Sequence, residues 1–372
     1  MFKSKAFAVA MVVMLLAGLM TGCSGGDTEE IKIGMIGPLS GDYASYGLST
    51  QRGVQIAVDE INAAGGINGK NITLLPEDSK GVPADAALAA SKLMDQDGVI
   101  AIMGPVLSGE MTTVAEFADE SKVVVFSSSA TATGIPDIGE FVFRNCLTDD
   151  VQAAQLIEYA VEELDAKKIA ILYAKNDYGE ALKNAAEAKA RELQVLVAVE
   201  SYTDGESDFN AVLTSIKRQQ PDTLFIGGYY TEAARIAQQA IAQDMDVQLL
   251  GADGFYSPVL VELGGEAVEG AVFTAGFYPG DPSESVQSFI NAYKEKYDEE
   301  PDMFAAQAYD AMKIVAAAIE AGDEDPDAIK QAILETSDFP GITGRTSFKP
   351  NGDVEKEVLI LKVVEGAFEK LR

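Results

Sequence analysis

Four loops concentrate the residues that could do chemistry. Gly104-Pro105-Val106-Leu107-Ser108-Gly109 places a hydroxyl and free backbone amides where a strand ends and a helix begins, and Ser127-Ser128-Ser129-Ala130-Thr131-Ala132-Thr133 offers more of both. Neither loop holds a Lys or Arg. Backbone donors at helix N-termini, with hydroxyls beside them, suit a small carboxylate such as that of a free amino acid. Ordinary capping by Ser108, Ser129 and Thr131 is the plainer alternative. Gly227-Gly228-Tyr229-Tyr230 and Gly251-Ala252-Asp253-Gly254-Phe255-Tyr256 also follow strands, and bring an acid and aromatic rings. Asp253 and Tyr229 could meet an ammonium by charge-assisted hydrogen bonding and cation–π contact, although Asp-Gly is equally a turn pair. Ligands of open α/β sheets sit at the carboxyl ends of the strands, so the four loops carry weight jointly rather than singly.

Composition removes most other chemistry. The 372 residues include no His, which excludes Ser-His and Cys-His nucleophile pairs, His-ligated metals and an imidazole base. Cys23 and Cys146 cannot make a Cys-rich zinc site, and Cys146 reads as a small buried hydrophobe. With 28 Lys plus Arg against 59 Asp plus Glu, the formal net charge of −31 opposes binding to a phosphate backbone. Gly34-Met35-Ile36-Gly37 lacks the spacing of a dinucleotide fingerprint. Gly65 to Lys70 follows a helix and lacks both the first P-loop glycine and the closing Ser or Thr.

Elements that could position the loops alternate regularly. A β-branched strand at Ile31 to Ile36 precedes a helix through Val54 to Ile61 that ends at Gly65-Gly66. Strands at Ile72 to Leu75, Val99 to Met103 and Val123 to Phe126 follow, with helices at Ala84 to Met94 and Thr112 to Ala118 between them. A second series begins at a helix over Val151 to Leu164, capped by Thr148 or Asp149. Its strands are Lys168 to Tyr173, Val195 to Val199, Thr223 to Ile226, Gln248 to Leu250 and Ala271 to Phe273, with helices at Glu180 to Glu192, Phe209 to Arg218, Ala233 to Ala242 and Val259 to Leu263. Ser283 to Thr336 is helical, and Thr346 to Leu371 is extended around two turns. Repeated βα units imply mainly parallel sheets covered on both faces, in two α/β lobes.

The N-terminus has its own signature. Lys3 and Lys5 precede an apolar run from Ala6 to Met20, about 15 residues, short of the roughly 20 that span a bilayer. Residues 1–22 therefore read as an export signal. Leu19-Met20-Thr21-Gly22-Cys23 resembles a bacterial lipobox, with Met20 where Leu is usual, so Cys23 is the expected lipid attachment point and residues 23–29 a flexible tether.

The order Ile-Lys-Ile-Gly-Met-Ile-Gly-Pro-Leu-Ser-Gly from Ile31, Tyr43-Ala44-Ser45-Tyr46-Gly47, and Asp59-Glu60-Ile61-Asn62-Ala63-Ala64-Gly65-Gly66-Ile67-Asn68-Gly69-Lys70 closely resembles the branched-chain amino-acid (Leu/Ile/Val) substrate-binding proteins of ABC importers. Asn176 to Glu180, Phe225 to Tyr229 and Phe304 to Ala311 match in order and spacing, so the resemblance covers essentially the whole chain after Cys23. It implies the type I periplasmic-binding fold: two α/β lobes joined by three crossovers, with residues 30–146 and 278–345 in one lobe and 147–277 and 346–372 in the other. It also implies a small-molecule ligand held in the cleft, an ABC permease as partner, no cofactor or metal, and no enzymatic step. By this resemblance Ser108, Ser129 and Thr131 hold the α-carboxylate and, through a backbone carbonyl, the ammonium. Asp253 and Tyr229 hold the ammonium from the other lobe, Tyr46 and Tyr178 flank the cleft, and Tyr278 lies near the second crossover. Asp253 stands where the best-known members have Glu, and Ser129 where they have Ala. The side-chain pocket, partly Leu107 and the loop around Phe255, is the part that varies. Rival readings are another small ligand on the same fold (an aromatic acid, amide or urea), a sensor for a separate signalling partner, and an anchored enzyme using Asp and Glu.

Overall fold

The computed structural model describes residues 30–372. The expected export signal, the tether and Cys23 lie outside the described residues. No helix among the described residues is long and apolar enough to cross a membrane.

The first series of βα units builds a five-stranded sheet. Its strands are β1 (Ile31–Gly37), β2 (Ile72–Asp78), β3 (Ala101–Met103), β4 (Val124–Ser127) and β5 (Val142–Arg144), all parallel in the order β2-β1-β3-β4-β5. Helices α1 (Ala44–Ala63), α2 (Pro83–Ser91) and α3 (Ser108–Ser121) connect them. The central strands β3 and β4 are buried along their whole length, as strands covered on both faces must be.

The second series repeats the plan. Helix α4 (Asp149–Glu162) leads into β6 (Ile169–Ala174), α5 (Asp177–Glu192), β7 (Leu196–Tyr202), α6 (Asn210–Lys217), β8 (Thr223–Gly227), α7 (Tyr230–Ala242), β9 (Gln248–Gly251), α8 (Pro258–Gly264) and β10 (Val272–Ala275). The parallel order β7-β6-β8-β9-β10 reproduces that of the first sheet, and β13 (Leu359–Val364) and β14 (Ala367–Lys370) extend its β10 edge antiparallel. Between β10 and β13 come α9 (Glu284–Tyr297), α10 (Met303–Gly322), α11 (Pro326–Leu334) and a short hairpin of β11 (Phe339–Gly341) and β12 (Gly344–Thr346). The helix α10 packs on α1 and on β3 and β4, so the chain returns to the first sheet before ending in the second. The result is a two-lobed α/β fold in which the chain passes between sheets after β5, after β10 and after β12.

Local differences from the sequence reading have local causes. Strand β5 is only three residues long and ends in Arg144, so its apolar run is too short to mark a strand, and its place in the sheet comes from pairing with β4. Helix α4 starts at Asp149, two residues earlier than the apolar period suggests, and the Thr148 hydroxyl makes no capping bond. Beyond Ser91 the expected single helix widens into a π turn over Lys92–Asp97. Helix α5 starts at Asp177 because Asn176 Oδ1 accepts the Gly179 amide at 2.8 Å.

Helix α1 approaches α10 closely at Gly53, where a Cβ would lie 2.0 Å from the Ala305 carbonyl oxygen. Gly53→Ala is expected to destabilise the fold by about 1–3 kcal/mol, read as a lower denaturation midpoint with an unchanged slope.

Candidate functional site

The two hydroxyl-rich loops of the first lobe are tied to each other. Ser127 Oγ donates to the Pro105 carbonyl at 2.6 Å, and Ser129 Oγ donates to that of Val106 at 2.9 Å. Ser108 Oγ accepts the Ala132 amide at 3.2 Å. Arg144, fully buried, donates from Nη1 to the carbonyls of Ala130 (3.1 Å) and Ala132 (2.7 Å), one on each side of Thr131. Its other edge forms a forked pair with Asp353 at 2.8 and 3.1 Å. Burial alone would raise Asp353, but the guanidinium beside it holds that carboxyl below its usual range.

The second lobe contributes an acid wrapped in tyrosines. Tyr178 OH donates to Asp253 Oδ1 at 2.9 Å and accepts the Gly254 amide at 2.9 Å. Burial keeps Tyr178 a phenol and therefore a donor. Tyr229 stacks on Tyr178 with centroids 4.8 Å apart and planes 6° from parallel. Burial raises Asp253 above the ordinary carboxylate range, against the hydrogen bond from Tyr178.

Tyr46 joins the lobes. Its OH donates to the Gly254 carbonyl and accepts the Tyr230 amide at 3.3 Å, while its ring lies 4.4 Å from Phe304 and 5.9 Å from Tyr229. Around it, Tyr230 OH donates to the Asp42 carbonyl (2.7 Å), Ser45 and Ser257 hydroxyls meet at 2.9 Å, and Tyr43 packs edge-on against Tyr229. These contacts hold the lobes together around a narrow cavity.

Six of the residues singled out in the sequence line this one cavity: Tyr46, Ser108 and Ser129 from the first lobe, and Tyr178, Tyr229 and Asp253 from the second. Thr131 is fully buried but does not reach the wall. Tyr278 is half-buried elsewhere and is not brought to the cavity. Leu107 lines it, whereas Phe255 turns toward Phe273 in the core. Val106 and Phe304 complete the apolar wall. Neither carried a chemical signal. Phe304 stood within a segment of family resemblance, but its helix reaches the cleft only through packing on α1.

Among the described residues no Lys or Arg lines the cavity. One end offers Ser108 and the amides at the start of α3, suited to a carboxylate; the other offers Asp253 among aromatic rings, suited to a cation. Val106, Leu107 and Phe304 add apolar surface to the same wall.

Comparison with known proteins places this geometry. A family model described as periplasmic binding protein matches residues 30–367. The Leu/Ile/Val-binding protein BraC3 of Rhizobium johnstonii is 32% identical over 333 residues, spanning 88% of this chain and 90% of its own. The solved leucine-binding protein LivK of Thermotoga maritima aligns with a TM-score of 0.88 at 32% identity, covering 92% of this chain and 98% of its own. LivJ of Streptococcus pneumoniae, solved with isoleucine, aligns at 0.85 and 34% identity, covering 92% and 99%. Both solved structures are type I periplasmic-binding folds of two lobes, and none of these relatives is an enzyme. With the family model spanning nearly every described residue, the chain belongs to the periplasmic binding protein family, whose members bind ligands rather than transform them.

Proposed function

We propose that this protein captures a free α-amino acid with an aliphatic side chain in the interlobe cavity and delivers it to an ABC importer. It is exported and held at the outer face of the cell membrane by lipid on Cys23. Residues 30–146 with 278–345 form one lobe and 147–277 with 346–372 the other. The observation that carries the reading is the opposition, across one small cavity, of a buried acid with no cationic partner on the wall and a hydroxyl-bearing helix start. Relatives named for leucine, isoleucine and valine support it. Leu107, Val106 and Phe304 would receive the aliphatic group, and Ser108 the carboxylate. Binding to both lobes at once favours the closed arrangement, which the importer would recognise.

A thermal-shift screen of the purified protein, refolded once to remove bound ligand, tests this. The panel is the proteinogenic amino acids with benzoate, urea and short amides. A ligand at a thousandfold over its Kd adds about 4 kcal/mol, enough to raise Tm by several degrees. Stabilisation by Leu, Ile or Val supports the reading. Stabilisation only by an acid or amide without an ammonium overturns it. Anchoring is read separately: Cys23→Ser should release the protein from the membrane fraction.

A further inference from the structure

Asp149 is the least explained ionisable group among the described residues. It is the first residue of α4 and fully buried, and neither of its carboxylate oxygens has a hydrogen-bond partner. The first turn of α4 faces Asp253: Gln152, also fully buried, accepts the Asp253 amide at 3.3 Å and the Thr274 hydroxyl at 2.7 Å through Oε1, leaving Nε2 unpartnered. On its other side the Asp149 amide donates to the Thr131 carbonyl at 3.1 Å, and the Thr131 hydroxyl is likewise without a partner. Three unpartnered polar side chains thus gather at the start of α4, which is hydrogen-bonded through Gln152 to the acid that lines the cavity.

We propose that Asp149 is a second carboxylate of the ligand site, sharing with Asp253 one proton that the ligand's ammonium displaces. The proposal rests on the amino-acid reading above. Two buried anions cannot persist in a poorly hydrated interior without a compensating positive charge. The groups facing Asp149 do not supply one. Arg144 is already forked onto Asp353. Cys146 is held as a thiol by burial, Tyr178 and Tyr229 as phenols, and Asp150 adds negative charge. Burial first, and the Asp253 charge second, push Asp149 well above the carboxylate range, against the nearby Thr131 hydroxyl and Arg144. In the empty protein the pair keeps one proton. In the liganded protein the ammonium takes its place and that proton leaves to solvent, so charge balances in both states. Asp149 is a positioning residue of the ammonium site; Asp253 is the one that touches the cavity.

The sign follows from linkage. Binding releases a proton, so affinity for L-leucine rises with pH, by up to about tenfold per unit, until the empty pair is itself fully ionised. Calorimetric titration of the purified protein with L-leucine, from about pH 5 to about pH 8 in buffers of unlike ionisation heat, should show up to about one proton released at neutral pH and none in Asp149→Asn. Infrared spectra of the ligand-free protein at neutral pH should contain a protonated-carboxyl band that leucine removes and that Asp149→Asn lacks. Wild-type leucine affinity independent of pH, with no proton release, would overturn the proposal without need of any variant. The infrared band is read before ligand is added, as the difference between wild type and Asp149→Asn, so that the buried carboxyls of Glu110 and Glu232, which burial also pushes up, cancel. Its absence therefore overturns the shared proton even if leucine binds well, whereas leucine failing to bind a protein that shows the band counts against the amino-acid reading alone.

Discussion

Asp253→Asn is expected to reduce affinity for a stabilising amino acid by at least about 100-fold, about 3 kcal/mol, while leaving the empty protein as stable as before or slightly more so. The two effects separate because the carboxylate has opposite roles in the two states. With ligand bound it would face an ammonium in a site walled by Tyr46, Tyr178 and Tyr229, where a charge-assisted hydrogen bond is little screened. Without ligand it is a buried acid near a second one, Asp149, and its charge is a liability. Asn keeps an acceptor for Tyr178 OH and removes only the charge. Calorimetry with the stabilising amino acid, beside thermal unfolding of the empty variant, reads both quantities. An affinity within threefold of wild type would sink the assignment of the ammonium to Asp253.

Arg144→Met should be the most destabilising single change among the groups described. Arg144 is fully buried, pairs bidentately with Asp353 and clamps the two carbonyls flanking Thr131. Removing one partner of a buried ion pair strands the other charge and costs about 3–5 kcal/mol, equivalent to a fall in Tm of roughly 5 °C for a body of this size. The double variant Arg144→Met with Asp353→Leu should recover much of that loss, since no charge is then stranded. The Asp353 carboxyl is held low by the pair, so the pair's contribution is present above the ordinary carboxylate range and is lost as pH falls through the lowered value. A single variant melting with wild type would remove Arg144 from this role. Retained stability with weakened ligand binding would instead place its effect on the Ser129 to Ala132 loop.

The loops that build the cavity were legible in the chain because their signals are local. Ser108 and Ser129 stand directly after apolar strands, Tyr178 follows a capping Asn, and Asp253 follows a strand in a Gly-flanked turn. Once the sheets are parallel, those loops must emerge at the same edge of their sheet. Phe304 and Asp149 were not legible as site residues. Phe304 comes from a helix that rejoins the first sheet late in the chain, and Asp149 begins a helix as capping acids commonly do.

By itself the sequence determined the alternation of elements, the parallel character of both sheets and the chemistry offered at their edges, because hydrophobic periodicity and turn residues act over a few positions. Tertiary structure alone decided which of those groups meet. It paired β5 with β4 and so buried Arg144, turned Phe255 into the core in place of the cavity, left Tyr278 outside, and brought Tyr46 of one lobe onto Gly254 of the other. Each of these is a contact between residues far apart in the chain, fixed by packing across sheets and lobes that no local pattern encodes.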